Sequence, residues 1–210
     1  MITLLIVAAA ALPTAVDAER AFAADARRIG QWTAFRKYAD PDAVMFNPQA
    51  MWARDFLKGR KDPPASVRWW PDSSFVSCDG RTAVNHGPAT TADGKPYGYF
   101  TTVWQREARN WTWVYDNGGP LKALPPRKAK PQVMRASCKM GAPGAPVIAP
   151  RALSAKQART TPEDSGQGQS ADKTLGWDWK VEKSGDHHFR VYLWTGTRYA
   201  QVLYNNVPAK

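Results

Sequence analysis

Between residues 66 and 117 apolar and polar side chains alternate in short runs, and a turn signal closes each run. The period of two places alternate residues on opposite faces, which an amphipathic helix cannot reproduce. The runs fall at about 66–70, 73–78, 81–90, 97–106 and 110–117. Pro71-Asp72, Asp79-Gly80, Asp93-Gly94 and Ala108-Arg109-Asn110 lie between them. Asp-Gly supplies the two positive-φ positions of the hairpin turns that match strand twist. This stretch is therefore predicted to be an antiparallel meander.

Upstream the period changes. Phe22, Ala26 and Ile29 stand at i, i+4 and i+7, one apolar stripe on a helix beginning near Glu19. Gly30 interrupts it, and Trp32, Phe35 and Tyr38 form a second short face. Asp40-Pro41 ends that helix, because proline cannot continue the hydrogen-bond ladder. Residues 43–46 read as a strand and 49–58 as a third helix, stopped by Gly59 and Pro63-Pro64. Helices followed by a meander predict an α+β fold, a cone-shaped antiparallel sheet covered on one face by the N-terminal helices.

The two ends of the chain read differently. Residues 3–12, TLLIVAAAAL, are too few to span a bilayer and fit the apolar core of a secretory signal over 1–18. Ala15 or Ala18 offers a cleavage point, although no Lys or Arg precedes the run. The first turns of a buried helix are the other reading. Export to the periplasm or the extracellular space would expose Cys78 and Cys138 to oxidising conditions in which they can pair. Two unpaired buried thiols are the alternative.

Residues 121–172 read as a Pro-rich basic tether. The stretch 121–160 holds 6 prolines and 9 Lys/Arg with no acid, and supplies most of the net charge of +11. Order resumes near residue 173, where Trp177/Trp179/Val181, Phe189/Val191/Leu193 and Tyr199/Gln201/Leu203 alternate. This predicts a C-terminal three-stranded antiparallel meander over 173–207. Such a sheet is too small to stand alone and should dock on the cone, with a Cys78–Cys138 bridge stapling the tether to one end.

The segments "FAADARRIGQW…FRKYADPDAVMFNP", "DGKPYGYFTTVWQRE" and "WTWVYDNGG" give residues 19–120 a resemblance to the nuclear transport factor 2-like superfamily. That α+β cone is shared with ketosteroid isomerases and SnoaL-like cyclases. The resemblance implies a cup-shaped cavity in which some members catalyse and many others only bind or assemble. It also locates three family roles. Asn47, before Pro48, stands where ketosteroid isomerases carry their proton-shuttling aspartate, and an amide cannot do that work. Ala23 and Thr101 stand near the places of the oxyanion-hole groups. Where SnoaL-like proteins carry a His-Asp-His-like run, this chain has Tyr115-Asp116-Asn117.

Asp116 remains as an isolated acid. Alternation puts it on one face with Val114 and Thr112, and puts Trp111, Trp113 and Tyr115 on the other. Inside a cup, desolvation would raise its proton affinity and make it a candidate catalytic group; at a strand end it would simply bond a backbone N–H. His86 is its candidate partner, or else a structural histidine. Asn47, Thr101, Trp52 and Tyr99 are the candidate cavity residues.

Other chemistry is weakly signalled. Trp69 and Trp70 are adjacent on one strand and must face opposite ways, and most tryptophans are expected in the core. Asp186-His187-His188 reads as a solvated turn, and neither cysteine has metal-ligand spacing, so no metal is expected. No phosphate loop or nucleophile elbow is present, and no cofactor is expected. The basic stretch lacks aromatics for base stacking, which disfavours nucleic acid. The expected partners are a small apolar ligand, a second copy through the outer sheet face, and anionic envelope material along 121–160. The leading functional reading is a non-catalytic exported binding or assembly module. The alternative is a small hydro-lyase, hydrolase or isomerase using Asp116 with His86.

Overall fold

The computed structural model describes residues 11–47, 49–139, 141–144 and 165–209. Residues 3–10 of the signal-like run, Pro48, and 145–164 of the basic stretch lie outside the described residues.

Helix α1 spans Ala15–Ile29, four residues earlier than the sequence reading placed it. Thr14 caps it: its Oγ1 accepts from the Asp17 backbone N–H, and the Asp17 carboxylate returns a bond to the Thr14 backbone N–H. This reciprocal pair satisfies two N–H groups that a helix start leaves open. The early start brings Ala15, Val16 and Ala18 into buried positions. Trp111 Nε1 also donates to the Pro13 carbonyl at 2.9 Å. Helix α2 follows at Gln31–Tyr38. The predicted third helix shortens to α3, Ala53–Leu57. Its first turns are instead strand β2 (Ala50–Trp52), which folds back on β1 (Ala39–Phe46) and pairs Val44 with Trp52.

The first sheet has eight strands. The remaining ones are β3 (Arg68–Trp69), β4 (Ser73–Val76), β5 (Thr82–Thr90), β6 (Pro96–Glu107), β7 (Asn110–Gly119) and β8 (Gln132–Arg135). Their order is β2-β1-β7-β6-β5-β4-β8, with β3 paired to β5. The α+β architecture stands, but the sheet is mixed rather than wholly antiparallel. The β1–β7 and β4–β8 pairs are parallel. Strand β8 belongs to the stretch read as a tether.

The C-terminal sheet has four strands rather than three: β9 (Ser165–Gln169), β10 (Leu175–Val181), β11 (His187–Trp194) and β12 (Tyr199–Val207), in the order β12-β11-β10-β9. The extra strand, SGQGQ, reads as linker by composition. Gly166 and Gly168 make it a strand, because their bare backbone is the shelf on which Trp179 and Trp177 lie. A Cβ at Gly168 would come within 2.1 Å of the Trp177 ring, and one at Gly166 within 2.6 Å of Trp179.

Two cores result, one on each face of the large sheet. The helix-side core gathers Phe22, Phe35, Trp69, Trp104 and Trp113. Ring centroids within it lie 4.7–6.0 Å apart, so packed aromatic side chains line the helix side of the sheet. The other core is a seam between the two sheets, with Phe75, Val84, Val103 and Tyr115 meeting Leu175, Trp177, Trp179, Phe189 and Val191. The C-terminal sheet thus covers the face expected to dimerise.

Cys78 and Cys138 are bonded, with Cα atoms 5.1 Å apart. Around the bridge, Thr174 Oγ1 accepts from the Cys78 N–H, and the Ser137 N–H donates to the Trp194 carbonyl. The bridge closes a separation of 60 residues. In the chain-entropy account that stabilises by about 4 kcal/mol. Reducing the disulfide, or making C78S/C138S, should lower the unfolding free energy in urea by that order. Unchanged denaturation midpoints would show that the native state does not depend on the bridge.

Candidate functional site

Strand β7 carries a bulge that decides which side chains meet. Val103 pairs with Tyr115 and Trp104 with Trp113, so Val114 is the extra residue. The bulge turns the strand over, and the three aromatics expected on one face divide. Trp111 and Trp113 enter the helix-side core, while Tyr115 enters the seam.

Beyond the bulge, Asp116 pairs with Thr102, which pairs with Asn85; this row faces the helices. Asn117 pairs with Thr101, which pairs with His86; this row faces the C-terminal sheet. Asp116 and His86 therefore stand on opposite faces of the sheet and cannot form a dyad. Asp116 is partly accessible, and its Oδ2 accepts from Thr102 Oγ1 at 2.7 Å. Burial pushes its carboxyl up to about 8, the Thr102 bond pulls it back, and the nearby charge of Glu19 pushes it further up.

Glu19 is the residue that the sequence reading missed. It is fully buried on α1, with Trp69 Nε1 donating to its Oε1 at 2.8 Å. Trp104 Nε1 and Asn85 Nδ2 donate to its Oε2 at 2.6 and 3.2 Å. The Asn85 amide also donates to the Ala15 carbonyl, while its own Oδ1 has no partner among the described residues. Burial raises the Glu19 carboxyl to about 7 against the pull of these three donors. The carboxylate is a strut joining α1 to β3, β5 and β6, held by neutral donors. Ala23, buried one turn along α1, contributes only packing.

The other predicted residues scatter. Asn47 is exposed at the end of β1, its backbone N–H bonded to the Gln49 carbonyl. Trp52 lies beneath the Arg54 guanidinium, 5.3 Å from the ring centroid. Thr101 and Tyr99 do come together with His86. The His86 ring lies tilted against that of Tyr99, centroids 5.3 Å apart, and Nδ1 lies 3.0 Å from Thr101 Oγ1. Asn205 Nδ2 reaches the same Thr101 oxygen across the seam at 2.7 Å. His187 is a correction too. It begins β11 fully inside the seam, with Asn117 Nδ2 on its Nδ1 at 2.5 Å and Tyr115 Oη 3.3 Å from its Nε2. Trp69 is buried while its neighbour Trp70 turns outward under Arg127.

A cleft of about 300 Å³ lies on the outward face of the C-terminal sheet, lined by Asp178, Lys180, Glu182, His188, Arg190 and Tyr204. Its charges answer one another: Arg190 grips Asp178 through Nε and Nη2 at 2.7 and 2.9 Å. Lys180 meets Glu182 at 2.8 Å, and the Tyr204 hydroxyl lies 2.7 Å from His188 Nδ1. Among the described residues no cluster of three or more metal-ligating side chains occurs, and no helix is long and apolar enough to cross a membrane.

No family model matches the chain, and no curated protein does. Two similar solved structures are a calcium/calmodulin-dependent kinase II hub homology domain from Chlamydomonas reinhardtii and a Xanthomonas campestris domain described as a calcium/calmodulin-dependent protein kinase II association domain. The first has 21% identity and a TM-score of 0.38, covering 52% of this chain and 100% of its own. The second has 14% identity and a TM-score of 0.38, covering 58% and 100%.

The Glu19 strut has a defined pH signature. Its folded value, about 7, lies above the 4.5 of an ordinary glutamate. Its contribution is therefore fully present below pH 4.5 and is lost as pH rises through 7, a change of roughly 3 kcal/mol. The difference in urea stability between wild type and Glu19→Gln should shift by that order between pH 4.5 and 8. Parallel stability curves for the two proteins would mean that Glu19 keeps an ordinary proton affinity.

Proposed function

We propose that the chain is an exported, nuclear transport factor 2-like binding module whose functional pole is the Asp116 end of the helix-covered sheet face. The observation that carries this reading is the Asp116–Thr102 pair. It is a partly accessible carboxyl, raised to about 8 by burial, at the rim of an aromatic core. At neutral pH such a group is an uncharged acid that donates a hydrogen bond. It suits a small, largely apolar ligand with one acceptor atom.

Export is consistent with the Cys78–Cys138 bridge. Anionic envelope material is a second partner in this reading. Lys122, Arg127, Lys128 and Lys130 are exposed along the first part of the basic stretch. Two of these charges are partly engaged within the chain, Arg127 over Trp70 and Lys128 against Asp72 at 3.2 Å. A homodimer would have to use a surface other than the outer sheet face.

The raised proton affinity of Asp116 also favours a second reading, in which the same carboxyl transfers a proton as a hydro-lyase, hydrolase or isomerase. It would act without His86. Native mass spectrometry of freshly purified protein tests the first reading. A copurified small molecule should be present in wild type, retained in Asp116→Asn at pH 7, and reduced at least tenfold in Asp116→Leu. A ligand held equally by Asp116→Leu would remove Asp116 from the site, and protein that is always empty would remove the binding reading.

A further inference from the structure

The seam between the two sheets is apolar along most of its length and polar in a single layer at one end. On the cone sheet that layer is the row His86, Thr101, Asn117, three residues in register on β5, β6 and β7. On the C-terminal sheet, Asn205 and His187 meet it from β12 and β11. The opposite end of β11, at Trp194, is fastened by the disulfide segment. The Ser137 N–H donates to the Trp194 carbonyl, and Trp194 Nε1 donates to the Lys139 carbonyl. The Asp79 N–H donates to the Asp172 carboxylate nearby. One end is stapled covalently, and the other is closed by two cross-seam bonds, Asn117 to the His187 ring and Asn205 to the Thr101 hydroxyl, which in turn pairs with His86 on its own sheet.

We propose that the C-terminal sheet is an acid-operated flap, hinged at the Cys78–Cys138 staple and latched at its far end by neutral His86 and His187. The latch needs unprotonated rings for a geometric reason. The Asn117 amide donates into the Nδ1 lone pair of His187, so a proton on that nitrogen would set donor against donor. His187 is buried among Phe46, Tyr115 and Trp179, with rings 4.1–6.5 Å away. Among the described residues the charge bearing on it is that of its neighbour His188, which opposes protonation. His86 faces Tyr99 and Thr101 from β6 and Asn205 from β12. Against burial, a hydrogen bond to the Phe100 backbone and then the charge of Asp72, at the start of β4, favour the charged ring, but Lys128 pairs with that carboxylate.

Burial holds both imidazoles down to about 4, against an ordinary 6.5. The sign follows from linkage. Closure is fully supported above pH 6.5 and weakens as pH falls toward 4, because an open seam lets both rings take up protons. At pH 5 each ring favours opening by about 30-fold, and the two together by roughly 10³. Opening exposes Trp177, Trp179 and Phe189, the apolar side chains of the seam. This inference does not rest on the Asp116 reading.

The test is hydrogen–deuterium exchange with mass spectrometry on the intact, disulfide-bonded chain at pH 7.5 and pH 5.0, corrected for intrinsic exchange. Peptides covering 187–207 should lose at least tenfold protection at pH 5.0, while those covering 15–29 keep theirs. In His86→Gln/His187→Gln the loss should fall below threefold, because Gln hydrogen-bonds without titrating. An unchanged pattern at pH 5.0, or loss spread equally over the whole chain, would overturn the flap. A double variant that keeps the wild-type response would do the same. If that variant does not fold, the wild-type contrast between 187–207 and 15–29 still decides.

Discussion

A four-stranded sheet of some forty residues cannot bury its own apolar face, and the arrangement of this molecule follows from that shortfall. Leu175, Trp177, Trp179, Phe189, Val191 and Leu193 all project from one side of the C-terminal sheet. Each such side chain contributes about 1.5–3 kcal/mol when it leaves water. The outer face of the cone sheet offers Phe75, Val84, Val103 and Tyr115 as the matching surface. Docking in cis uses that face, makes the disulfide segment a hinge line, and leaves the helix-covered face as the place where a ligand could meet the cone. The large sheet is thus apolar on both sides, a layer between two coverings rather than a shell with a solvated back.

The bulge at Val114 decides how function divides between those coverings. Without it, strict alternation would carry Tyr115 with Trp111 and Trp113 into the helix-side core. Asp116 would then face the C-terminal sheet together with His86. With the extra residue, the acid moves to the helix side beside Glu19, and the imidazoles are left to the seam. Chemistry that depends on an acid and a base in contact is thereby separated by the thickness of a sheet. What remains on each face is a set of one kind: raised carboxyls on one, depressed imidazoles on the other.

Much of this architecture was legible in the chain, and the failures have physical reasons. The Asp-Gly turns and the period of two located β4 to β7 closely, because those signals are local. The alternation of NWTWVYDN breaks at Trp113-Val114-Tyr115, but only the partner strand defines which residue is extra. Glu19 is hidden when 1–18 is read as a leader, although Thr14 and Asp17 have capping-box spacing. With α1 extended to Ala15, Glu19 falls on the buried stripe of Ala15, Phe22 and Ala26, a carboxylate in an apolar row. SGQGQ read as linker because glycine signals freedom. Its two glycines share their spacing with Trp177 and Trp179, the indoles that need a flat shelf. His187 reads as part of a turn because Ser184-Gly185-Asp186 precedes it. The turn is real, and the strand simply begins one residue after it ends.

The two faces of the sheet answer acid in opposite senses. As pH falls from about 8 toward 4.5, Glu19 and Asp116 become easier to keep buried, and the contact between helices and sheet gains stability. Over pH 6.5 to 4 the buried imidazoles become harder to keep neutral, and the seam loses it. The cone is therefore firmest where its flap is loosest. Because the two slopes have opposite signs, a bulk melting or denaturation curve sums them and hides both. A local probe separates them, since the carboxyls act through α1 while the imidazoles act through β11 and β12. This opposition is also why acid would open one element rather than unfold the chain: the half that must remain standing is the half that acid steadies.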